Sequence, residues 1–468
     1  MLFNSLIFFI FLAAVLTLYW SVNKQENRQT ILLLSSLIFY GAWFPPHLIL
    51  LLSLVTVCWL AALYARKFKR GAIMFASVVL LGSLGYWKYT SFLLQVFHDI
   101  GIDAGWMSCF PKSMALPLGI SFIVFQGLGY VIDVARGEKE PEPRWSTVIL
   151  FKAYFPQLIA GPICRAHELM PQLKEKTLFD HSTFVSGLTI LTVGLFLKVV
   201  FADNVSPSVD RYFSDISGLS PSQAWFASLG FSIQIFADFW GYSTMAYGMS
   251  LMFGIVLPVN FRLPYLATSI RDFWRRWHIT LSQWLRDYLY KSLGGSHQGY
   301  IRTSMALMAT MLIGGLWHGA NYTFLVWGAM FGFALALEHG LLSITRSFRS
   351  EHQMPKIINA AGKGISWLYT MSVVLIGWVI FRAADLHSAG HILQKMAKGL
   401  PSVSEIPIGF AVLTIGFFLI HVPVEKLLDK LREKEISNHL CYLISGWLLI
   451  ISIIFSAEDP TPFIYFQF

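Results

Sequence analysis

The chain has 468 residues, of which 55% are hydrophobic and 13% charged, and its formal net charge is +9. Soluble chains carry about 25% charged residues, so this composition excludes an assembly of soluble domains and favours one membrane-embedded unit. The basic residues lie in short segments between apolar runs, as in the cytoplasmic loops of membrane proteins, and this placement argues against a nucleic-acid partner.

Apolar runs follow one another along the chain, and a membrane-crossing helix needs about 20 such residues. The first run, Met1 to Trp20, lacks a convincing cleavage site and is interpreted as a retained span rather than a signal peptide. The candidate runs are 2–20, 31–44, 47–64, 71–97, 115–134, 146–163, 183–202, 222–256, 303–317, 320–342, 366–381, 405–424 and 440–457. Some are too short to cross alone, so we expect about 11 spans with re-entrant segments.

The predicted fold class is therefore an all-α polytopic membrane protein, with a single membrane domain over 1–457 and a tail over 458–468. Basic residues cluster at 66–70 and 426–434, and these loops are predicted to be cytoplasmic. The tail after 457 contains no Lys or Arg, so it is predicted to lie on the extracytoplasmic side. The four cysteines are scattered without the spacing of a metal site, and no metal is expected.

Two of the apolar runs carry polar side chains that a membrane interior does not favour. The run Leu116 to Val134 contains Ser121, and the segment Phe231 to Gly248 contains several more, namely Gln234, Asp238 and Tyr242. Such groups either fix a helix bundle through interhelical hydrogen bonds or line a polar substrate tunnel. Both interpretations stay open at this stage.

One charged segment, Arg271 to Gly295, interrupts the apolar pattern. Its spacing predicts an amphipathic helix that lies at the membrane surface or in a protein groove on the cytoplasmic side and is ended by Gly294 and Gly295. One face is polar and includes Arg271, Arg275, His278, Ser282 and Arg286. The arginines are either snorkelling side chains of a surface helix or ligands for the phosphates of coenzyme A, and His278 has a structural, orienting or catalytic role.

A histidine in a glycine-flanked break is the main catalytic candidate. Between Ser304 and Leu337, His318 is the one acidic or basic residue, and it stands in the sequence Gly-Gly-Leu-Trp-His-Gly-Ala-Asn. Glycines around it predict a helix, a break and a second helix capped by Asn321. A neutral histidine is suited to deprotonate a hydroxyl that attacks a thioester. The alternative is a buried histidine whose role is purely structural, bonded to a carbonyl.

These motifs together resemble the membrane-bound O-acyltransferase family. The segments RDFWRRWHITLSQWLRDYLYKSLGG and LWHGANYTFLVWGAMFG are similar to its bacterial branch of alginate and peptidoglycan O-acetylation subunits, and LPLGISFIVFQGLGYVIDVARG, FPQLIAGPI and FADFWGYSTMAYG extend the likeness in the same order. The resemblance implies a ring of about 11 tilted helices around a central tunnel. It places the two family histidines on His318 and His278.

The resemblance also implies the reaction and its setting. Acetyl-CoA would be the acyl donor, bound from the cytoplasm by Arg271, Arg275, Arg276 and Arg286, in the bacterial inner membrane. Tunnel residues would be Ser121, Gln234, Asp238, Tyr242, Trp317 and Asn321. An extracytoplasmic SGNH-type O-acetyltransferase or esterase would be the partner. Gln157 stands where alginate-type members often carry histidine, which leaves peptidoglycan and other exopolysaccharides open as substrates.

The chain ends in the aromatic sequence PFIYFQF, with Tyr465 as its phenol. One interpretation is an interfacial aromatic anchor. The other is an acyl carrier, because the tail is similar to the aromatic motif on a small partner in the related D-alanylation system. In that case His318 would activate the phenol of Tyr465, and the tail would deliver acetyl groups outside.

Two functions of other classes compete with acetyl transfer for the whole chain. One is a transporter for a small anion or lipid-linked sugar, and the other is a structural scaffold.

Overall fold

The computed structural model describes residues 1–102, 116–159, 161–296, 298–348, 356–402, 405, 407–456 and 462–464. Regular structure within these ranges is helical. The α-helices are α1 (Leu6–Ser21), α2 (Gln25–Gly41), α3 (Pro45–Ala65), α4 (Lys69–Leu84), α5 (Thr90–Asp99), α6 (Ile120–Arg136), α7 (Trp145–Ala153), α8 (Phe155–Leu158), α9 (Ala166–Lys174), α10 (His181–Phe196), α11 (Asn204–Ser214), α12 (Pro221–Met252), α13 (Ile270–Arg276), α14 (Ile279–Trp284), α15 (Gly299–His318), α16 (Tyr322–Phe348), α17 (Lys356–Arg382), α18 (Leu386–Lys398), α19 (Ile408–Arg432) and α20 (Asn438–Ile454). Three stretches are π-helical, namely Gly85–Tyr89, Leu197–Asp203 and Leu285–Tyr290.

Several helices are suited to cross a membrane. In the described part of the chain, six stretches are long and apolar enough, namely Pro45–Ala65, Lys69–Asp99, His181–Ser214, Tyr322–Leu341, Gly362–Arg382 and Ile408–Arg432. The apolar helices α1 and α20 are shorter. The predicted all-α polytopic membrane class is confirmed. The count of about 11 crossings and the division at residue 457 stay predictions.

Charged groups gather at one end of the helices, which we call the basic face. There Arg66, after α3, pairs with Glu140 at 2.5 Å. Arg136, at the end of α6, donates to the backbone carbonyl of Asp287 at 3.3 Å, and Arg165 pairs with the Asp287 carboxylate at 2.6 Å. Side chains from three separate parts of the chain therefore form one polar surface.

We call the opposite end of the bundle the far face, and the direction in which each helix runs shows which residues lie there. Helices α3 and α6 both end at the basic face, so their first turns lie toward the far face. Helix α15 begins shortly after the Asp287 segment and has 20 residues, which corresponds to about 30 Å, so His318 at its end is directed toward the far face. Helix α20 begins shortly after Lys434, which pairs with Asp180, and it runs in the same direction as α15.

Close packing of α15 against α16 depends on glycine. A Cβ atom at Gly315 would lie 2.2 Å from the backbone carbonyl oxygen of Phe324, and one at Gly319 would lie 1.9 Å from the Phe324 ring. Neither the backbone oxygen nor a ring held between helices moves aside easily. The two glycines therefore let α16 pack directly beside the residue that ends α15.

We expect Gly315→Ala to destabilise the protein by about 1–3 kcal/mol, because the added methyl forces the two helices apart. Thermal unfolding in detergent, followed by tryptophan fluorescence, measures the change. Gly82→Ala is the matched control, because a Cβ atom there meets nothing within 4 Å. Equal unfolding temperatures for the Gly315 and Gly82 variants would contradict the packing argument.

Candidate active site

The arginine-rich segment is not one helix, and the sequence prediction over Arg271 to Gly295 is wrong in this respect. Helix α13 ends at Arg276, and α14 begins at Ile279. Between them His278 adopts a left-handed conformation with φ 42° and ψ 56°. The break is held by tertiary hydrogen bonds: the Ile279 N–H donates to the backbone carbonyl of Asn260 at 2.9 Å, and the Thr280 hydroxyl donates to the Asn260 side chain at 3.0 Å.

This break turns His278 inward, away from the polar helix face on which the helical spacing placed it. The residue is fully buried, with 0% of its surface exposed. Its ring lies 4.7 Å from the ring of Phe239, 5.7 Å from that of Trp317 and 6.4 Å from that of Phe122, measured between centroids. His278 therefore belongs to the aromatic interior beside the end of α15.

The helix–break–helix structure around His318 is confirmed. Helix α15 ends at His318, Gly319 is extended, and α16 begins at Tyr322. The Asn321 side chain accepts a hydrogen bond from the Thr323 N–H at 3.2 Å, which is the predicted cap. The imidazole is buried and its centroid lies 5.1 Å from those of Trp327 and Phe381. Aromatic rings thus hold the histidine at the end of the helix.

A cavity of about 750 Å³, the large cavity, leads from the arginine segment to His318. Arg271, Arg275 and Arg286 line it, and so do Ser282 and residues of α15 such as Thr310 and Gly314. Because the arginines adjoin Asp287, this cavity opens toward the basic face. Three of the predicted phosphate ligands therefore share one cavity with the predicted general base.

The arginines differ in their partners. Arg286 pairs with Asp287 at 3.0 Å, whereas Arg276 pairs with Asp272 at 2.9 Å and is absent from the residues that line the large cavity. Burial acts to raise the pKa of the Asp287 carboxyl, but hydrogen bonds from Arg286, Lys291 and Arg165 outweigh it and hold that pKa below its ordinary value. Asp287 is therefore a stable anion that orders the arginines around it.

A second cavity of about 100 Å³, the smaller cavity, reaches His318 from the other direction. Its wall includes Trp43, Lys88, Ser121 and Trp317. Trp43 and Ser121 stand at the starts of α3 and α6, which places this cavity toward the far face. Of the residues that line the two cavities in the described part of the chain, His318 is the one that both share.

The tail re-enters the protein interior. Phe463 and Ile464 are each 2% exposed, and the Ile464 N–H donates to the Asp238 carboxylate at 2.7 Å. The Phe463 ring lies 4.5 Å from that of Tyr242 and 5.6 Å from that of Phe239, measured between centroids. Phe239 also contacts His278, so the tail reaches the aromatic interior of the site. Tyr465 lies outside the described residues.

The remaining predicted tunnel residues divide between the cavities and the bundle. Ser121 and Trp317 line the smaller cavity. Gln234 donates to the Ser206 hydroxyl at 2.8 Å between two helices, and Asn321 donates to the Ala384 carbonyl at 2.9 Å besides its capping bond. Gln234 thus makes the helix-fixing contact that was one of the two interpretations, and Asn321 binds the segment between α17 and α18.

Lys198, which is buried, and Lys88, which is half-buried, have no counterpart among the predicted site residues. Lys198 pairs with Asp203 at 2.5 Å and with Asp238 at 2.9 Å, and so supports the carboxylate that binds the tail. Lys88 lines the smaller cavity. Both stand inside apolar runs, and a basic residue in such a run is itself a signal of function. Among the described residues, His, Cys, Asp and Glu form no group suited to hold a metal ion.

The chain is similar in sequence to known proteins over much of its length. The family model described as MBOAT, membrane-bound O-acyltransferase family, matches residues 134–376. The "Probable alginate O-acetylase" of Pseudomonas putida is 35% identical over the full length of both chains, and the "Peptidoglycan O-acetyltransferase" of Helicobacter pylori is 36% identical over 86% of this chain and 81% of its own. The "Teichoic acid D-alanyltransferase" of Bacillus subtilis is 26% identical over 47% of this chain and 58% of its own.

Proposed function

Because this chain belongs to the membrane-bound O-acyltransferase family, we propose that it transfers acetyl groups from cytoplasmic acetyl-CoA across a bacterial inner membrane. The acetyl groups serve O-acetylation of a cell-surface polysaccharide of the alginate or peptidoglycan type, as the names of the relatives suggest. The basic face is then cytoplasmic and the far face extracytoplasmic, in keeping with the distribution of Lys and Arg.

The observation that carries this proposal is the position of His318 between two cavities. The large cavity approaches the histidine from the basic face, and the smaller cavity approaches it from the far face. A donor and an acceptor from different compartments then meet at one imidazole. An enzyme that moves an acyl group across a membrane needs this arrangement, whereas a water-soluble acetyltransferase does not.

The large cavity suits the donor by charge and size. Its volume of about 750 Å³ lies within the range of about 300–1,000 Å³ for small-molecule sites. Guanidinium groups pair with phosphate oxygens through two parallel hydrogen bonds, so Arg271, Arg275 and Arg286 would bind the phosphates of coenzyme A at the mouth. The thioester would extend along α15 toward His318.

In the reaction, His318 removes the proton from an acceptor hydroxyl, and the resulting oxygen attacks the thioester carbon. The carbon–sulfur bond breaks, an ester forms, and the thiolate of coenzyme A takes the proton from the imidazolium. The cycle therefore needs no metal and no redox partner. His278 supports the site from within the aromatic wall, and its contact with Trp317 places it one ring away from His318.

The acceptor in this proposal is the phenol of Tyr465. The Asp238 carboxylate holds the N–H of the preceding residue, Ile464, inside the protein, and this contact supports entry of the tail from the far face. Acetyl-tyrosine would then pass its acetyl group to an extracytoplasmic SGNH-type partner, which acetylates the polysaccharide. A covalent relay divides one difficult transfer into two easier ones and keeps each substrate in its own compartment.

Purified protein incubated with acetyl-CoA labelled in its acetyl group tests the function. We expect release of free coenzyme A and labelled acetyl on the C-terminal peptide, detected by a thiol assay and by mass spectrometry. In vesicles loaded with a small anion, a transporter would instead give flux without thioester cleavage. If folded protein supplied with acetyl-CoA releases no coenzyme A, the proposed acetyltransferase function is wrong.

We expect Arg275→Gln to raise the KM for acetyl-CoA by about 10- to 100-fold, because one charge-assisted phosphate contact is lost. The kcat at saturation should change little, since Arg275 lies at the mouth rather than at the thioester. A short acetyl thioester without the nucleotide should be used equally well by wild type and variant. Arg302→Gln is the control, because exposed Arg302 bonds Gln298 and is absent from the cavity wall. An unchanged KM would remove this arginine from the donor site.

A further inference from the structure

Lys88 occupies an unusual position in the π-helical stretch Gly85–Tyr89 between α4 and α5. Its ammonium donates to the backbone carbonyls of Trp317 at 2.6 Å and His318 at 2.9 Å. The neighbouring Tyr89 hydroxyl donates to the Leu316 carbonyl at 2.6 Å. Three consecutive carbonyls at the end of α15 are therefore bound by side chains of one short segment, and π-helical turns are often found at functional sites.

The end of an α-helix explains part of this arrangement. The last carbonyls of a helix have no partner within the helix and carry a partial negative charge, so donors and cations are stabilising there. Tyr89 meets this need with a neutral hydroxyl. Lys88 places a full positive charge at the same helix end, although a charge inside a membrane protein is costly. Helix capping alone therefore accounts for Tyr89 but does not require an ammonium at position 88.

The smaller cavity supplies a reason for the charge. An ammonium has three N–H donors, and the two carbonyls take two of them. Within the described part of the chain, the third donor is left for a group in the smaller cavity, whose wall includes both Lys88 and His318. Ser121 and Trp317 complete the wall near them. A ligand oxygen in this cavity would thus meet a cation and an imidazole together.

We propose that the smaller cavity is the subsite for the acceptor hydroxyl and that the Lys88 ammonium binds the acceptor oxygen during acetyl transfer. This inference rests on the proposed acetyltransferase function and names a residue for it. When His318 takes the hydroxyl proton, negative charge develops on the acceptor oxygen before the new carbon–oxygen bond forms. A preorganised cation beside that oxygen lowers the energy of this state. Lys88 keeps its own protons throughout, and the proton of the acceptor leaves with the thiolate of coenzyme A.

Lys88→Met tests the inference, because methionine fills similar space without donors or charge. We expect kcat for acetyl transfer from acetyl-CoA to the tail to fall about 100-fold, with KM for acetyl-CoA unchanged, because Lys88 does not line the large cavity. Tyr89→Phe is the matched control: it removes a hydrogen bond to the same helix end without removing the charge. Its kcat should stay within about threefold of wild type, in line with the loss of one neutral hydrogen bond.

Binding of coenzyme A to each variant, measured by calorimetry, reports whether the large cavity is intact. Lost transfer with normal coenzyme A binding supports the acceptor role of Lys88. Three results would overturn it: a wild-type kcat in Lys88→Met, an equal loss in Tyr89→Phe, or loss of coenzyme A binding in Lys88→Met, which would make the ammonium a requirement for folding. Failure of the proposed function looks different, since the wild-type protein itself would then release no coenzyme A.

Discussion

Replacing His318 by glutamine is expected to lower the rate of coenzyme A release from acetyl-CoA by about 100- to 10,000-fold, the usual contribution of a general base. Glutamine keeps a polar side chain of similar length at the end of α15 but cannot take a proton. Because His318 lines both cavities, no other described side chain is placed to replace it between donor and acceptor. Coenzyme A binding should persist, since the arginines of the large cavity are untouched.

His421→Gln is the control for this experiment. His421 is also a buried histidine of an apolar helix, and its Nδ1 lies 2.8 Å from the Phe418 carbonyl oxygen, yet it lines neither of the two cavities. Its replacement should leave the rate within a few-fold of wild type. A folded His318→Gln protein that turns over at the wild-type rate would remove the general base from the mechanism.

Replacing Tyr465 by phenylalanine is expected to abolish acetylation of the tail and to lower coenzyme A release by about 100-fold, because a held phenol reacts far faster than free water. The aromatic shape of the tail is kept, and only the attacking oxygen is removed. Mass spectrometry of the C-terminal peptide, together with the thiol assay, measures both effects. Unchanged coenzyme A release and unchanged polysaccharide acetylation would contradict the relay but would leave the chemistry of His318 intact.

A shift of the phenol by one residue sharpens this test. The bond between the Asp238 carboxylate and the Ile464 N–H fixes Ile464 in the interior, so we expect the register of the tail to decide which side chain acts as acceptor. The double change Tyr465→Phe with Phe466→Tyr keeps the composition of the tail and moves the phenol one position along. We expect it to be as inactive as Tyr465→Phe. Full recovery would show that the register is not set at Ile464.

The apolar pattern and local turn residues predicted the features that depend on neighbouring residues in sequence. Glycines and Asn321 indicated the break after His318, because a cap and close helix contacts use short-range rules. The membrane class followed from composition. The roles of His318, His278 and the arginines stay predictions from the resemblance and the spacing, and three of the four arginines do share a cavity with His318.

What the sequence could not show depends on contacts between distant residues. The break at Trp277 and His278 arises from hydrogen bonds with Asn260, and a helical periodicity over Arg271 to Gly295 contains no sign of them. Similarly, Lys88 and α15 are 229 residues apart in the chain at their closest bond. An isolated lysine in an apolar run signals a function, but only the folded chain identifies the carbonyls it binds.

The meeting of the two cavities at His318 also has an electrical consequence. In the proposed reaction the hydroxyl proton moves toward the thiolate on the cytoplasmic side, while the acetyl group moves the opposite way to the acceptor oxygen. Both partners are neutral before and after this exchange, so one cycle carries no net charge across the membrane. A membrane potential does work only on net charge that moves through it. Acetyl transfer is therefore expected to be electrically silent, and its equilibrium should be the same in energised and de-energised membranes.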